Sequence, residues 1–528
     1  MSLATGTSRL MRLHVRTTWR SLLLWPLVMG GLVAGVARSI TVLYPTPQDR
    51  LTYAATSGAS PASVAFNGRW TDLTTLGGIT TNEVGFMGLL LFPTVATLLA
   101  IRHTRGEEDA GRTELLTAAR VGRLAPLLAA VLVITMDLLL FGAISAAGSL
   151  AAGLPVTGSI RYAVSLVLFA LTFASLGLLV GEASRESRTA TGVGLGIVLG
   201  LFLARAVIDG AGWSLTWATP AGWLTEVRPF GGEESAWWPY AAYLTAIVIL
   251  LGAAAMVALR RDLYGGVFAA RPGPAVATAR LTTPTGLVWR LTRGAFLGWL
   301  VGLLVWGGAL GAISDTMTAV IRASPQLLEL FGVERAEDIV TGLSLSLAAI
   351  GSAALFAQGV GRLAGEEDSG RLGFLAAGRH PRRRLWMSWA VVLVLESIAL
   401  IMAQATALGL ATTWATGDSA NIREALAGGA VTVPAVLLIG TGALLARAVA
   451  PPVAAAVWVL VGWVAIVAFL ADALDLPTWA RRLSPLDAVG RVPMDDPRPW
   501  VIAGFTVVAA ILALVSTAGF ARRDLRAG

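Results

Sequence analysis

Few residues in this chain could do chemistry, and most of those that could come in pairs. Glu107-Glu108-Asp109, with Gly111 and Arg112 behind them, lie in GEEDAGRTELLTAAR at 106–120. Glu366-Glu367-Asp368, with Gly370 and Arg371 behind them, lie in GEEDSGRLGFLAAGR at 365–379. Nine of the fifteen positions are identical, at a displacement of 259 residues (365 − 106). Acids with an arginine one turn on suit ion pairing and docking rather than bond making. Glu108 and Arg112 stand four apart and can pair on one helical face, as can Glu367 and Arg371. Acids first and arginine later would complement the dipole of a short helix, which Gly111 and Gly370 would weaken. Asp137 in LVITMDLLLF and Glu396 in VVLVLESIAL repeat at the same displacement (396 − 137 = 259).

Other chemistries are missing their parts. The chain has no HExxH, no CxxC and no Ser-His-Asp grouping. Its three histidines, His14, His103 and His380, do not coincide under the repeat, which argues against a duplicated metal site. Without cysteine there are no disulfides and no thiolate metal ligands. Without lysine there is no P-loop, whose Lys must reach the β/γ-phosphates, so this chain would not hydrolyse ATP alone.

The elements that must hold these residues are hydrophobic. Hydrophobic residues make up 55% of the 528 positions, charged residues 14%, and mean hydropathy is +0.72. Several windows exceed the roughly 20 apolar residues that cross a bilayer as a helix. Spans are expected near 21–43, 84–102, 124–148, 160–181, 189–208 and 239–259. A second set is expected near 294–314, 339–361, 385–413, 425–446, 452–472 and 499–520, the third of these long enough to extend beyond the membrane. The fold class is therefore an all-α polytopic membrane protein, twelve helices in two six-helix repeats of the same topology. Its parts are a cytoplasmic amphipathic segment at 1–20, a first six-span half at 21–259, a linker and interfacial segment at 260–293, and a second half at 294–528.

The repeat reaches beyond the cassette. LRRDLYGG at 259–266 is echoed by ARRDLRAG at 521–528, just after the last span of each half. Trp217-Ala218 and Trp479-Ala480, and Arg185 and Arg447, share that offset of 262. Most of the 40 basic residues fall on the side of the N-terminal tail, and the acids sort the other way. The positive-inside rule then places both termini in the cytoplasm, and the first apolar stretch is too long for a cleaved signal peptide. The pI near 10.7 follows from that arginine bias, with no nucleic-acid-binding motif beside it. LMRLHVRTTWR at 10–20 and LVWRLTR at 287–293 suit helices lying in the interface before the first span of each half.

With these features the chain resembles the ABC-2 type transporter permeases, in particular the fused twelve-span form, the tetronasin-type exporters of polyketide antibiotics. The resemblance rests on the acidic Gly-Arg cassette after the second span, the basic segment before the first, and the Trp/Pro-rich segment before the sixth, each present twice. The second cassette departs from the first at Leu372-Gly373-Phe374, where the first has Thr113-Glu114-Leu115. The resemblance implies an exporter in a bacterial plasma membrane that moves hydrophobic antibiotics, drugs or lipids. Two copies of a separate nucleotide-binding subunit would carry ATP and Mg, docked on Glu107, Glu108, Asp109, Gly111, Arg112 and on Glu366, Glu367, Asp368, Gly370, Arg371. The basic segments would touch those subunits, and short re-entrant helices would cap the exit at 209–238 and 472–498. Charge reversal at the paired glutamates would then abolish coupling without preventing membrane insertion.

Three readings of the intramembrane acids stay open. Asp137 could pair with Arg205 at similar depth, although Val467 stands at the position equivalent to Arg205 and leaves Glu396 without that partner. Both acids could line a pathway for a cationic or hydrogen-bonding substrate. Both could carry protons, as in a secondary transporter of the major-facilitator type. That class also has six plus six spans and a charged loop after the second, but Asp109-Ala110-Gly111-Arg112 is one residue short of its pattern.

Overall fold

The computed structural model of the chain describes residues 3–56, 61–111, 121–261, 276, 279–312, 314–315, 318, 336–378, 380–471, 476–490, 492–493 and 496–523. Contacts divide it into two compact units, Met1–Pro272 and Gly273–Gly528. Among the described residues there is no strand, and twelve helices are long and apolar enough to cross a membrane. Hydrocarbon offers a backbone N–H no partner, so a long apolar run closes its hydrogen bonds on itself as a helix.

In the first unit these helices are α1 (Thr7–Leu43), α2 (Leu76–Ile101), α3 (Ala125–Ala151), α4 (Val156–Ala183), α5 (Ser187–Gly210) and α6 (Trp238–Arg260). In the second they are α7 (Pro284–Ala312), α8 (Ala336–Asp368), α9 (Arg382–Thr416), α10 (Ala420–Val449), α11 (Val457–Leu470) and α12 (Pro499–Arg522). At 1.5 Å per residue the 35 residues of α9 rise about 52 Å, well beyond a hydrocarbon layer of about 30 Å.

Two expectations change here. The basic segments 10–20 and 287–293 are not separate interfacial helices; they are early turns of α1 and α7. Both helices run on through their junctions with the apolar stretch, the second in spite of Gly294. The Thr18 and Thr292 hydroxyls bond back to the carbonyls of His14 and Val288 within the same helix. The second helix of each half is also longer than expected. α2 continues through a π-helical turn, Arg102–Gly106, into Glu107–Asp109, and α8 runs unbroken to Asp368. The cassette acids therefore end a membrane helix instead of beginning a short one.

Packing repeats between the units. α1 lies on α3, α4 on α2 and α6, and α5 on α2; α7 lies on α9, α10 on α8 and α12, and α11 on α8. Small residues bring the first pair of each unit together, as is usual where apolar helices meet in lipid. A Cβ on Gly148 of α3 would stand 2.2 Å from the Ala34 Cβ of α1. A Cβ on Gly311 of α7 would stand 2.6 Å from the Leu408 carbonyl oxygen of α9.

The Trp/Pro-rich segments fold into short helices, Pro220–Glu226 before α6 and Thr478–Arg481 and Pro485–Val489 before α12. Thr219 and Ser484 cap two of them by accepting from the N–H of Gly222 and Asp487. In the first unit the Tyr243 hydroxyl ties α6 to the Pro220 carbonyl at 2.7 Å.

The close α1–α3 approach gives a test. Gly148→Val should destabilise the folded chain by about 1–3 kcal/mol through overpacking, read as a lower melting temperature in detergent. Gly252→Ala, in open space on α6, should leave it unchanged or raise it.

Candidate functional site

The cassette acids create an electrostatic problem that the fold has to answer. The C-terminus of a helix carries negative partial charge, so carboxylates in its last turn are disfavoured. In both halves the second glutamate is also buried, Glu108 at 2% exposure and Glu367 at 4%. A buried carboxylate needs cations and hydrogen bonds, and the ends of other helices supply them.

In the first unit Arg261, just past the end of α6, grips Glu108 with two nitrogens at 3.0 and 2.8 Å. Its Nε donates to Glu182 near the end of α4 at 2.6 Å. Arg105, fully buried in the π-helical turn, stands 3.0 Å from Glu108 and donates to the Gly181 carbonyl at 3.0 Å. Two carboxylates and two guanidiniums thus lock the ends of α2, α4 and α6 together. Burial works against the charge on Arg261, but its hydrogen bonds and Coulomb attraction to Glu108 and Glu182 hold its pKa above the ordinary value.

In the second unit Arg523, just past α12, pairs with Glu367. Arg447 in the last turn of α10 pairs with Glu367 at 2.8 Å and with Asp368 at 3.2 Å. One further contact repeats. Arg123 before α3 donates to the Arg261 carbonyl at 2.9 Å, and Arg382 at the start of α9 donates to the Arg523 carbonyl at 3.1 Å. The RRD echo after the sixth and twelfth helices is therefore the clamp on the cassette glutamate, a role its repetition in the sequence pointed toward without naming the partner.

The remaining cassette residues fall into place around these clamps. Gly111 and Gly370 take φ of 71° and 74°, and their N–H groups close the helix end on the carbonyls of Glu108 and Glu367. That left-handed conformation favours glycine. Asp109 is exposed and accepts from the Ser187 N–H at 2.6 Å, capping the start of α5. Glu107 is half-buried, on the wall of a cavity with His14 and His103, whose Nδ1 atoms lie 3.1 Å apart. Arg112 lies outside the described residues, as do Thr113, Glu114 and Leu115, and with them the expected Glu108–Arg112 pair. The expected Glu367–Arg371 pair is not formed. Arg371 instead grips Glu366 at 2.7 and 3.0 Å, because Glu367 points inward to Arg447 and Arg523. Its hydrogen bonds to Glu366 raise the pKa of Arg371. A short helix, Arg371–Ala376, follows Gly370; it buries Leu372 and leaves Phe374 83% exposed.

The comparison with known proteins bears on the whole of this arrangement. Over 534 aligned residues, 99% of this chain and 96% of the relative, the sequence is 31% identical to the multidrug efflux system permease protein Rv1217c of Mycobacterium tuberculosis (strain ATCC 25618 / H37Rv). The chain belongs to the multidrug efflux system permease family. The family description "Multidrug efflux system permease Rv1217c, C-terminal domain" matches residues 281–521, nearly all of the second unit. This is a multi-pass membrane protein of a transporter family.

In this permease the expected Asp137–Arg205 pair is absent. Arg205 on α5 bonds Asp209, one turn along the same helix, at 3.2 Å, and the carbonyls of Ala65 and Phe66 at 2.8 and 2.9 Å. Those carbonyls end a short helix, Pro61–Asn67, so Arg205 meets the negative end of its dipole. The i,i+4 spacing of Arg205 and Asp209 was the signal in the sequence. Asp137 lies instead on α3 among Trp25, Phe92 and Phe141, with its Oδ1 lacking a hydrogen-bond partner among the described residues. Glu396 on α9 bonds the Thr292 hydroxyl through one oxygen, while Oε2 has no hydrogen-bond partner there.

The clamps correct one expectation about mutants. Charge reversal at Glu108 or Glu367 would set like charges together inside the helix bundle, so it should impair folding as well as any coupling. Arg261→Gln, which leaves Glu108 and Glu182 short of a cation, should destabilise the first unit by about 3–5 kcal/mol. Adding Glu108→Gln to it should recover part of that loss, as a double-mutant cycle of melting temperatures would show.

Proposed function

We propose that this chain is the membrane subunit of an ATP-driven exporter. It moves hydrophobic or amphipathic compounds, drugs or antibiotics or lipids, out across a bacterial plasma membrane, with both termini in the cytoplasm. Two copies of a separate nucleotide-binding subunit bind ATP and Mg and dock on the two cassettes. The relative's name, a multidrug efflux permease, supports a drug-sized cargo. The absence of lysine supports the division of labour, since the hydrolytic P-loop must lie on another chain.

The observation that carries the reading is the clamp itself. Each half fastens the end of its second helix to the ends of other helices through buried ion pairs, so a push on the cassette is delivered to several helices at once. Beyond the clamp in the second half projects Arg371–Ala376, with Phe374 exposed and Leu372 anchored. An aromatic held out on an anchored helix suits insertion into a partner's groove. The docking role therefore belongs to the projecting residues Asp368, Arg371 and Phe374 and, by the sequence repeat alone, to Asp109, Arg112 and Leu115, while Glu108 and Glu367 transmit.

The chain expressed from its native operon should co-purify with a P-loop ATPase at two copies per permease. Phe374→Asp should weaken that association about tenfold or more, equivalent to about 1.4 kcal/mol, without lowering the melting temperature of the permease. A chain that purifies alone and moves protons during drug flux would make it a secondary carrier, with Asp137 and Glu396 as its proton sites.

A further inference from the structure

The two intramembrane acids occupy equivalent places on α3 and α9, and each is 3% exposed. Each keeps one oxygen without a hydrogen-bond partner among the described residues. Each also stands against aromatic rings from the first helix of its own unit: Trp25 for Asp137, and Trp289 and Phe296 for Glu396. A carboxylate in an apolar site is stabilised by a positive charge that brings little hydration of its own, and indole and phenyl faces attract that same charge.

The two sites differ in room. Beside Glu396 a groove of about 430 Å³ runs between α7 and α9, large enough for a drug-sized molecule. Apart from Glu396 and Thr285 its lining is apolar, with Trp289 and Phe296 forming a tilted pair of rings 5.5 Å apart. Beside Asp137 the space is about 20 Å³, enough for one water-sized group, lined by Trp25, Phe92 and Phe141 among others. Above it, at the end of the unit where α1 begins, a cavity of about 390 Å³ has Leu10, Leu13 and Leu127 on its wall. Leu127 and Asp137 lie ten residues apart on α3, about 15 Å along the helix.

We infer that Glu396 and Asp137 anchor lipophilic monovalent organic cations, with room for such a ligand in the Glu396 groove and too little beside Asp137. The carboxylate meets the charge, the Trp and Phe rings take its delocalised face, and the apolar groove takes its hydrocarbon. Thr292 fixes one oxygen of Glu396, and the other lies buried beside the groove without a hydrogen-bond partner among the described residues. This assigns a substrate class to the efflux reading and rests on that reading.

The probe is tetraphenylphosphonium, titrated by calorimetry into the purified permease without any ATPase, beside an uncharged compound carrying the same phenyl rings. Saturable binding of the cation should weaken tenfold or more in Glu396→Gln and survive in Glu396→Asp, while binding of the neutral compound stays unchanged. Asp137→Asn should have the smaller effect. Cation binding unchanged in Glu396→Gln would overturn the assignment, as would equal loss of the neutral compound, which would reduce the groove to an apolar surface. Efflux of a neutral drug from cells separates the two readings. If it persists while cation binding ignores both carboxylates, export stands and this inference falls. If it is absent although cation binding follows Glu396, the site stands and the export reading falls.

Discussion

A carboxylate buried in the last turn of a helix is opposed by the helix dipole and by desolvation, and this permease places one there twice. Much of the arrangement at that end of each unit follows from answering it. The cation must come from an element ending at the same level, and arginine just past the last helix of the unit does so with favourable dipole geometry. An arginine at the start of the third helix then holds the carbonyl of that clamp. Glu108, Arg261 and Arg123 form one such set, and Glu367, Arg523 and Arg382 the other. The second glutamate of each cassette is thus a fastening between helices.

The second cation is where the halves diverge. In the second unit it is Arg447, from the end of α10. In the first, Arg185 holds the equivalent place and is exposed, and Arg105 supplies the charge from within α2 itself. Arg105 sits in the π-helical turn, a local widening that α8 lacks. The same stretch carries His103 against His14. The halves share a scheme of packing and clamp, and they differ in the source of charge and in what lies beside it. The two cassettes are therefore unequal in chemistry.

Deeper in the bundle the repeated acids behave differently from the clamped ones. Among the described residues Asp137 and Glu396 pair with no arginine, and apolar side chains and aromatic rings surround them. Arg205, the cation at comparable depth in the first half, is already engaged by Asp209 and by the end of a short helix. The fold therefore separates Glu108 and Glu367 near the helix ends, each paired with two arginines, from Asp137 and Glu396, which keep an oxygen without a hydrogen-bond partner among the described residues.

Composition and period alone determined the class of this protein. Runs of twenty or more apolar residues have one stable form in hydrocarbon, so twelve helices and their doubling by six were legible, as were the repeated cassette, the RRD echo and the intramembrane acids. Helix ends were less legible: α2 and α8 run past their apolar stretches, where ion pairs stabilise the extra turns, and the basic segments continue directly into α1 and α7. Partner choice was legible where it is local, as for Arg205 and Asp209 at i,i+4, though other pairings at that spacing, such as Glu367 with Arg371, did not form. The clamps of Glu108 by Arg261 and Glu367 by Arg523 join residues more than 150 positions apart. Sequence spacing carries no information about such pairs. Only the packing of the second, fourth and sixth helices of each half brings them within hydrogen-bonding distance, and that decided which acids are locked and which remain free.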